Sequence, residues 1–186
     1  MTTKNNFLAM LEEFSTRHAD KSELTQRFIS LLNNHDDETA FLRNCFDDGH
    51  FVWSVLVTNT DRSKLMLMHH KKFWTWQQFW GHADGEMDML NVARRELEEE
   101  AGIVWGDVEI LPIIFSLDVH GVPAHHNEPA HYHYDVTFLA VVDESIIVNK
   151  QEAEVLDIEW FDIDLLRAEL HGGKFSSWLE NNLNYL

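Results

Sequence analysis

The sequence of 186 residues predicts an α+β fold with an N-terminal helical extension. Hydrophobic residues make up 45% and charged residues 25% of the chain, which is typical of a soluble globular protein with a sizeable core. Helical spacing of apolar residues dominates the first 47 positions, whereas patterns typical of strands begin only after them. Because these strands do not alternate regularly with helices, a layered α+β arrangement is favoured over a doubly wound one.

Two helices are predicted in the N-terminal part. In the first, apolar residues recur at helical spacing at Phe7, Leu8, Met10, Leu11 and Phe14. The second opens at Ser22, and a short helix over 38–45 follows a polar break. A separate domain of this size would be marginal, so we expect an extension of residues 1–47 to pack on a core of residues 48–186.

The core carries most of the strand patterns. They cover residues 51–58, 65–69, 73–80, 108–119, 132–142 and 155–161. A loop over 81–88 leads into a helix over 88–101, with Asp88 as its N-cap and Gly102 at its end. Asp162 or Asp164 caps a short helix to residue 170, a turn follows over 171–173, and a terminal helix covers 175–186.

Charge and cysteine usage restrict the partners. A net charge of −18 argues against a nucleic-acid polymer and against an anionic membrane surface, because phosphate contacts need clustered Lys and Arg. A small anionic substrate stays compatible, since divalent cations bridge acidic protein and acidic ligand. The single cysteine, Cys45, forms no internal disulfide, and no signal peptide or spanning segment is evident, so we expect a cytoplasmic protein.

The helix over 88–101 concentrates acidic residues on one side. At 100° per residue, its predicted buried stripe comprises Leu90, Ala93, Leu97 and Ala101. Three carboxylates converge on an arc beside that stripe, those of Glu96, Glu99 and Glu100. Hard cations such as Mg²⁺ bind oxygen ligands, so this arc predicts a metal site. Arg95 is spaced to pair with Glu99. In the loop before the helix, Gly81 and Gly85 allow close backbone approach, and a backbone carbonyl at Gly81 is expected to join the carboxylates.

These residues form a pattern with fixed spacing. Gly81 opens it, and Arg95-Glu96-Leu97-x-Glu99-Glu100-x-Gly102-Ile103 closes it in register. The pattern resembles the signature of the Nudix hydrolase family. This resemblance implies a mixed β-sheet sandwiched between helices. It also implies Mg²⁺- or Mn²⁺-dependent cleavage of a phosphoanhydride bond in a nucleoside diphosphate derivative, such as a nucleoside triphosphate, a nucleotide sugar or a dinucleotide.

The resemblance also implies roles for the matching residues. Glu96 and Glu100 become the principal metal ligands and Glu99 a third, while Arg95 holds Glu99 in place. The general base is one of these glutamates or a carboxylate from a later loop. From their position before a strand, Glu152 and Glu154 either add a late carboxylate to the metal site or are surface charge.

One position departs from the family pattern. Met87 stands where the family has a glutamate that supports the turn from loop to helix, and Glu86 substitutes if the loop shifts by one residue. An alternative function is therefore a degenerate binding or regulatory module with little or no turnover. An isomerase of allylic diphosphates is disfavoured, because it needs a cysteine at the cleft and Cys45 lies outside the core.

Further site residues are suggested by pattern alone. His131, His133 and Asp135 share one face of a strand, which is either a cleft wall touching phosphate or a second metal, or a polar face toward solvent. His82 adjoins Gly81 and is a substrate-binding candidate, and Trp76 is a candidate for stacking on a base. A homodimer is expected if the N-terminal helices expose an apolar face.

Overall fold

The computed structural model describes residues 4–35, 38–104, 106–169 and 174–186. Its contacts divide the chain into two compact units. The first unit comprises Met1–Ser54, Trp80–Ala93 and Pro112–Phe138. The second comprises Val55–Phe79, Arg94–Leu111 and Leu139–Leu186. Each unit is described separately below.

The described residues form one seven-stranded sheet and five α-helices. The strands are β1 His50–Asn59, β2 Lys64–His70, β3 Thr75–Gln77, β4 Phe79–His82, β5 Glu109–Val122, β6 His131–Val142 and β7 Val155–Asp162. The helices are α1 Lys4–Arg17, α2 Ser22–Asn34, α3 Met89–Ala101, α4 Ile163–Glu169 and α5 Lys174–Asn182. The strand order is β3-β2-β1-β6-β5, with β4 paired to β1 and β7 to β2. In the described part of the chain, every helix is too short or too polar to cross a lipid bilayer.

The first unit has an aromatic core beneath its N-terminal helices. Phe7 of α1 packs against Phe51 and Trp53 of β1, with ring centroids 5.2 and 5.4 Å apart. The two predicted N-terminal helices are confirmed. The predicted helix over 38–45 is wrong: only a 3₁₀ turn forms at Thr39–Phe41, because the chain becomes extended at Leu42. A domain boundary at residue 47 stays a prediction.

The second unit is organised around the buried strand β2. This strand pairs antiparallel with β7 from Lys64↔Asp162 onward and with β3 through Met68↔Gln77. The segment 73–80, predicted to be extended, is extended from Thr75 onward, where it forms β3 and the start of β4, while Trp74 at φ +54° belongs to the turn after β2. β4 then forms as a further short strand, and it extends into the region predicted as loop by including Gly81 and His82.

The C-terminal helices follow the predicted order. The Oδ1 atom of Asp162 accepts hydrogen bonds from the backbone N–H groups of Asp164 and Leu165, at 2.9 and 3.1 Å, and thereby caps α4. The predicted terminal helix is present as α5, followed by a 3₁₀ turn at Leu183–Tyr185. The turn predicted over 171–173 lies outside the described residues.

Candidate functional site

The helix α3 has the ends that its sequence predicts. At the start, the Oδ1 atom of Asp88 accepts a hydrogen bond from the backbone N–H of Asn91 at 3.4 Å. At the end, Gly102 adopts φ +67° and its N–H donates to the carbonyl oxygen of Glu98 at 3.0 Å, which is the αL type of helix termination. A side chain at Gly102 would also meet the Cβ of Asn149 at 2.9 Å. These two constraints end the helix directly after the acidic run.

The buried face of α3 is wider than the one predicted. Ala93, Leu97 and Ala101 are fully buried as predicted, Met89 and Val92 are fully buried as well, and Leu90 is only half-buried. At 100° per residue, Glu96 and Glu100 lie about 20° to either side of Met89, between Val92 and Ala93. Their carboxylates therefore lie on the buried face and not beside it. Glu100 is 4% exposed and the Glu96 side chain 12%, while the Glu99 side chain is 56% exposed.

The electrostatics of this carboxylate cluster (Glu96, Glu99 and Glu100) favour a cation. Arg95 donates a hydrogen bond to Glu96 at 3.0 Å and approaches Glu99 at 4.0 Å, so its stronger pairing is with Glu96 and not with the predicted Glu99. Burial nevertheless raises the pKa of Glu96 to about 7, against the lowering effect of Arg95. The charges of Glu99 and Glu154 raise this pKa further. At Glu96, the effect of burial therefore outweighs that of Arg95.

The cluster fits a hard divalent cation by its donors. All three ligands are carboxylate oxygens, which Mg²⁺ and Mn²⁺ prefer. Among the described residues, the three side chains do not bring one oxygen each within 4.8 Å of the others, so the exposed Glu99 has to rotate inward to join the set. Glu152 and Glu154 are both exposed, and of the two Glu154 is the one whose charge acts on the pKa of Glu96.

The loop before α3 is held by Glu86. The Oε1 atom of Glu86 accepts a hydrogen bond from the backbone N–H of Asp88 at 2.8 Å, directly at the turn into the helix. Gly85 takes φ +86° and donates to the carbonyl oxygen of Phe41 at 2.9 Å. Gly81 is buried in β4 without a positive φ, so positive φ is confirmed for Gly85 only. A metal contact from the Gly81 carbonyl stays a prediction.

A second group of polar residues lies in the first unit and consists of histidines. His50 begins β1, His82 ends β4 and His133 lies near the start of β6. One ring nitrogen from each lies within 4.8 Å of the other two, and we name these three residues the histidine triad. His131 and His120 flank it, with ring centroids 5.1 and 5.4 Å from that of His133.

Burial keeps the histidine triad neutral. The pKa of His50 and that of His82 are lowered to about 4, and that of His133 to about 2, mainly because burial disfavours the charged imidazole. The neighbouring histidines lower the pKa of His133 further. All three rings are therefore uncharged at neutral pH, with a lone pair on one nitrogen each.

The remaining predicted site residues are placed as follows. His131, His133 and Asp135 share the inner face of β6 at 6%, 5% and 5% exposure, so the interpretation as a polar face toward solvent is wrong. The exposed face of this strand instead carries Tyr132. Trp76 stacks on His69 with ring centroids 5.0 Å apart, and its stacking on a base stays a prediction. His50 escaped the sequence analysis, because a lone histidine before an apolar strand carries no pattern.

Comparison with known proteins identifies the family. A family model described as the NUDIX domain matches residues 49–179, which is more than half of the chain. The protein therefore belongs to the NUDIX family, and the resemblance stated from Gly81 and the segment 95–103 is confirmed. A search of curated protein sequences found no match.

Solved structures share the fold at low sequence identity. A dihydroneopterin triphosphate pyrophosphohydrolase from E. coli superposes with a TM-score of 0.59 at 13% identity, covering 73% of this chain and 96% of that one. A NUDIX-family hydrolase from Clostridium perfringens gives 0.55 at 21% identity with coverages of 73% and 96%. An Ap4A hydrolase from C. elegans gives 0.54 at 16% identity with coverages of 73% and 93%. The predicted α+β Nudix fold is thus confirmed.

Proposed function

We propose that this protein is a Mg²⁺- or Mn²⁺-dependent hydrolase that cleaves a phosphoanhydride bond in a nucleoside diphosphate derivative. One observation carries the proposal. Glu96 and Glu100 lie on the buried face of α3, inside the segment that matches the family signature. Removing two carboxylates from water is costly unless positive charge compensates them. At Glu96, Arg95 does not outweigh the effect of burial, which raises the pKa of that carboxyl to about 7, and a divalent cation bound there would supply further positive charge.

Each glutamate has a distinct role in this proposal. Glu96 and Glu100 hold the cation, because they are withdrawn from solvent, and the exposed Glu99 completes the set by rotating inward. The bound cation neutralises phosphate charge and lowers the pKa of a water molecule. It would also lower the pKa of Glu96 from about 7, so that this carboxylate stays ionised at neutral pH.

The chemistry balances with a single water molecule. Its oxygen forms a bond to one phosphorus, the bond from that phosphorus to the bridging oxygen breaks, and the bridging oxygen leaves on the second phosphate. The water proton passes to a carboxylate, for which Glu154 is suited, because it lies close enough to Glu96 to raise its pKa. Arg95, hydrogen-bonded to Glu96 at 3.0 Å, positions that carboxylate and does not touch the reacting atoms.

The alternative is a binding module without turnover, for which Met87 is the motivation. In the family that position supports the turn from loop to helix, and here Glu86 bonds to the backbone of Asp88 at that turn. This hydrogen bond supplies the support that Met87 lacks. We therefore place hydrolysis first.

The proposal is tested by a substrate screen on the purified protein with Mg²⁺ and with Mn²⁺. The panel contains nucleoside triphosphates, nucleotide sugars, coenzymes, Ap4A and dihydroneopterin triphosphate. The last two are included because an Ap4A hydrolase and a dihydroneopterin triphosphate pyrophosphohydrolase share this fold. We expect metal-dependent release of phosphorylated products from at least one compound. Metal binding without product from any compound would favour the module.

The matched variants are Glu100→Gln and Glu98→Gln. Glu100 is buried, whereas Glu98 is an exposed residue of the same helix with the same chemistry. We expect Glu100→Gln to lower hydrolysis by at least about 100-fold and Glu98→Gln to leave it unchanged. Full metal-dependent activity in Glu100→Gln would refute the assignment.

A further inference from the structure

The histidine triad is a second cluster that the proposed hydrolysis does not use. We infer that His50, His82 and His133 form a binding site for a transition-metal ion of the Zn²⁺ type, separate in ligand chemistry from the carboxylate cluster. Neutral imidazole nitrogens suit Zn²⁺, Co²⁺, Ni²⁺ and Cu²⁺, whereas Mg²⁺ prefers oxygen ligands. The inference concerns the described residues of the first unit only and does not depend on the proposed function.

The spacing of the nitrogens is close to what such an ion needs. Zn–N bonds of about 2.0–2.1 Å in a tetrahedral site place the ligand nitrogens roughly 3.3 Å apart. The three triad nitrogens lie within 4.8 Å of one another. Small rotations of the imidazole rings therefore suffice to close the site. His131 is a candidate for the fourth position, since its Nε2 is already 3.3 Å from the Nε2 of His133.

Backbone carbonyls set the tautomers of His50 and His131. The Nδ1 of His50 donates to the carbonyl oxygen of Cys45 at 3.3 Å, and the Nδ1 of His131 donates to that of Pro129 at 2.8 Å. A neutral imidazole has only one N–H group, so the Nε2 atom of each of these two rings carries a lone pair, and that of His131 accepts from the Nε2–H of His133 at 3.3 Å in the metal-free protein. This is the arrangement in which metal-binding histidines are held, with the second nitrogen donating to a carbonyl or carboxylate.

The lone pair of His50 is the decisive feature. His50 is 1% exposed, and within the described chain its Nε2 atom is buried without a hydrogen-bond partner. A buried acceptor without a donor costs about 1–3 kcal/mol. The hydrogen bond to Cys45 fixes this tautomer but leaves the Nε2 lone pair unsatisfied, and a bound metal ion would satisfy it directly.

Charged side chains of both signs surround the histidine triad. Glu128 acts on both His50 and His82, and Asp84 acts on His82. Arg43 is the opposing charge and lowers the pKa of both histidines more than Glu128 raises it, although the two side chains form an ion pair at 3.2 Å. Asp118 lies beyond His120 and is hydrogen-bonded to its Nδ1 at 2.9 Å. The site is therefore recognised by the spacing of its nitrogens and by the lone pair of His50, and these charges add little to it.

The experiment is a titration of the full-length, EDTA-treated protein with Co²⁺, followed by its visible absorption. Tetrahedral Co²⁺ bound by imidazoles absorbs strongly, whereas octahedral Co²⁺ on carboxylates absorbs weakly. We expect one intensely absorbing Co²⁺ per chain, displaced by Zn²⁺ and not by excess Mg²⁺. Weak absorption only, or displacement by Mg²⁺, would overturn the inference.

Matched variants locate the ion. His82→Gln removes a ligand that is only half-buried, and the double variant His125→Gln/His126→Gln removes two exposed histidines of the same unit. We expect the first to weaken Co²⁺ binding at least about 10-fold and the second to leave it unchanged. Equal binding in all three proteins, or loss only in the double variant, would refute the site. Glu100→Gln is expected to retain the Co²⁺ spectrum. A failure of the proposed histidine site is therefore distinguishable from a failure of the proposed hydrolysis.

A measurement on the unmodified protein removes dependence on variants that fold poorly. Long-range proton–nitrogen NMR correlations of the imidazole rings report which nitrogens are unprotonated. Addition of Zn²⁺ is expected to shift the unprotonated nitrogens of His50, His82 and His133, and to leave those of His125 and His126 in place. Unchanged resonances for the triad at saturating Zn²⁺ would contradict the inference.

Discussion

The carboxylate cluster and the histidine triad respond to burial in opposite directions. Burial raises the pKa of Glu96 to about 7 and lowers that of His133 to about 2, because in both places it disfavours the charged form. Glu96 therefore approaches neutrality at physiological pH, while the histidines stay neutral well below it. The same physical effect leaves an oxygen site that a cation would ionise and a nitrogen site already prepared to donate lone pairs.

Removing a buried carboxylate gives the largest expected effect. Glu96→Gln keeps the size of the side chain and its contact to Arg95, but loses the ligand charge. We expect metal-dependent hydrolysis to fall by about 100- to 1,000-fold at saturating Mg²⁺. Steady-state kinetics over a range of Mg²⁺ concentrations measure this loss. Activity restored fully by higher Mg²⁺ would mean that Glu96 contributes to affinity alone.

Zn²⁺ is expected to stabilise the fold through the histidine triad. At a free concentration 100 times its dissociation constant, an ion bound only to the native state adds about 2.7 kcal/mol to the free energy of unfolding. For a chain of this length, each kcal/mol corresponds to roughly 2–4 °C in the melting temperature. Thermal denaturation with and without Zn²⁺ measures the shift, and His82→Gln is expected to reduce it. An equal shift in both proteins would place the ion elsewhere.

The metal-free protein is expected to lose stability as pH falls from about 6.5 toward 4. His50 and His82 have folded-state pKa values of about 4, below the unfolded value of 6.5, so the unfolded chain binds more protons in this window. Their contribution to stability is therefore present above the unfolded pKa and declines as pH falls, by about 1.4 kcal/mol per pH unit for each histidine. Glu96 opposes part of this decline, because its folded pKa of about 7 lies above the unfolded 4.5, while His133, with a folded pKa of about 2, adds to it.

Chemical denaturation of the EDTA-treated protein at pH 7, 6 and 5 measures this slope. The control is His125→Gln/His126→Gln, whose exposed rings are expected to leave the slope unchanged. A free energy of unfolding that is independent of pH across this window would contradict the buried, neutral state of the triad.

The smallest effect concerns the loop that leads into α3. Glu86→Ala removes the carboxylate that accepts from the backbone N–H of Asp88, whereas Glu86→Gln keeps an oxygen acceptor. We expect the alanine variant to lose about 1 kcal/mol of stability and the glutamine variant clearly less. Denaturant titrations of the two proteins measure the difference. Equal losses would show that Glu86 does not support this turn.

The two clusters also differ in how far the sequence reveals them. Glu96, Glu99 and Glu100 lie within five positions of one helix, so helical periodicity alone brings them together. The predicted buried stripe is confirmed at Ala93, Leu97 and Ala101, but Met89 and Val92 widen the buried face so that it includes Glu96 and Glu100. A helical pattern gives the period of burial reliably, but the width of the buried face depends on what packs against the helix.

The histidine triad depends on strand pairing, which the sequence does not display. Alternation along β6 predicts that His131 and His133 share one face of the strand, and the structure has them so. Alternation did not decide whether this face is buried or points to solvent. Nothing in the sequence states that β1 has β4 and β6 as neighbours, and this pairing is what joins His50 to His82 and His133. The signal that would have found His50 is therefore the sheet order and not a motif.

The most direct test of the two-site account measures hydrolysis and Co²⁺ absorption on the same preparations of the unmodified protein, Glu100→Gln and Glu98→Gln. The account predicts that Glu100→Gln loses at least about 100-fold of its Mg²⁺-dependent hydrolysis and keeps the intense Co²⁺ absorption, while Glu98→Gln keeps both. Loss of the Co²⁺ absorption in Glu100→Gln, or full hydrolysis by that variant, would contradict it.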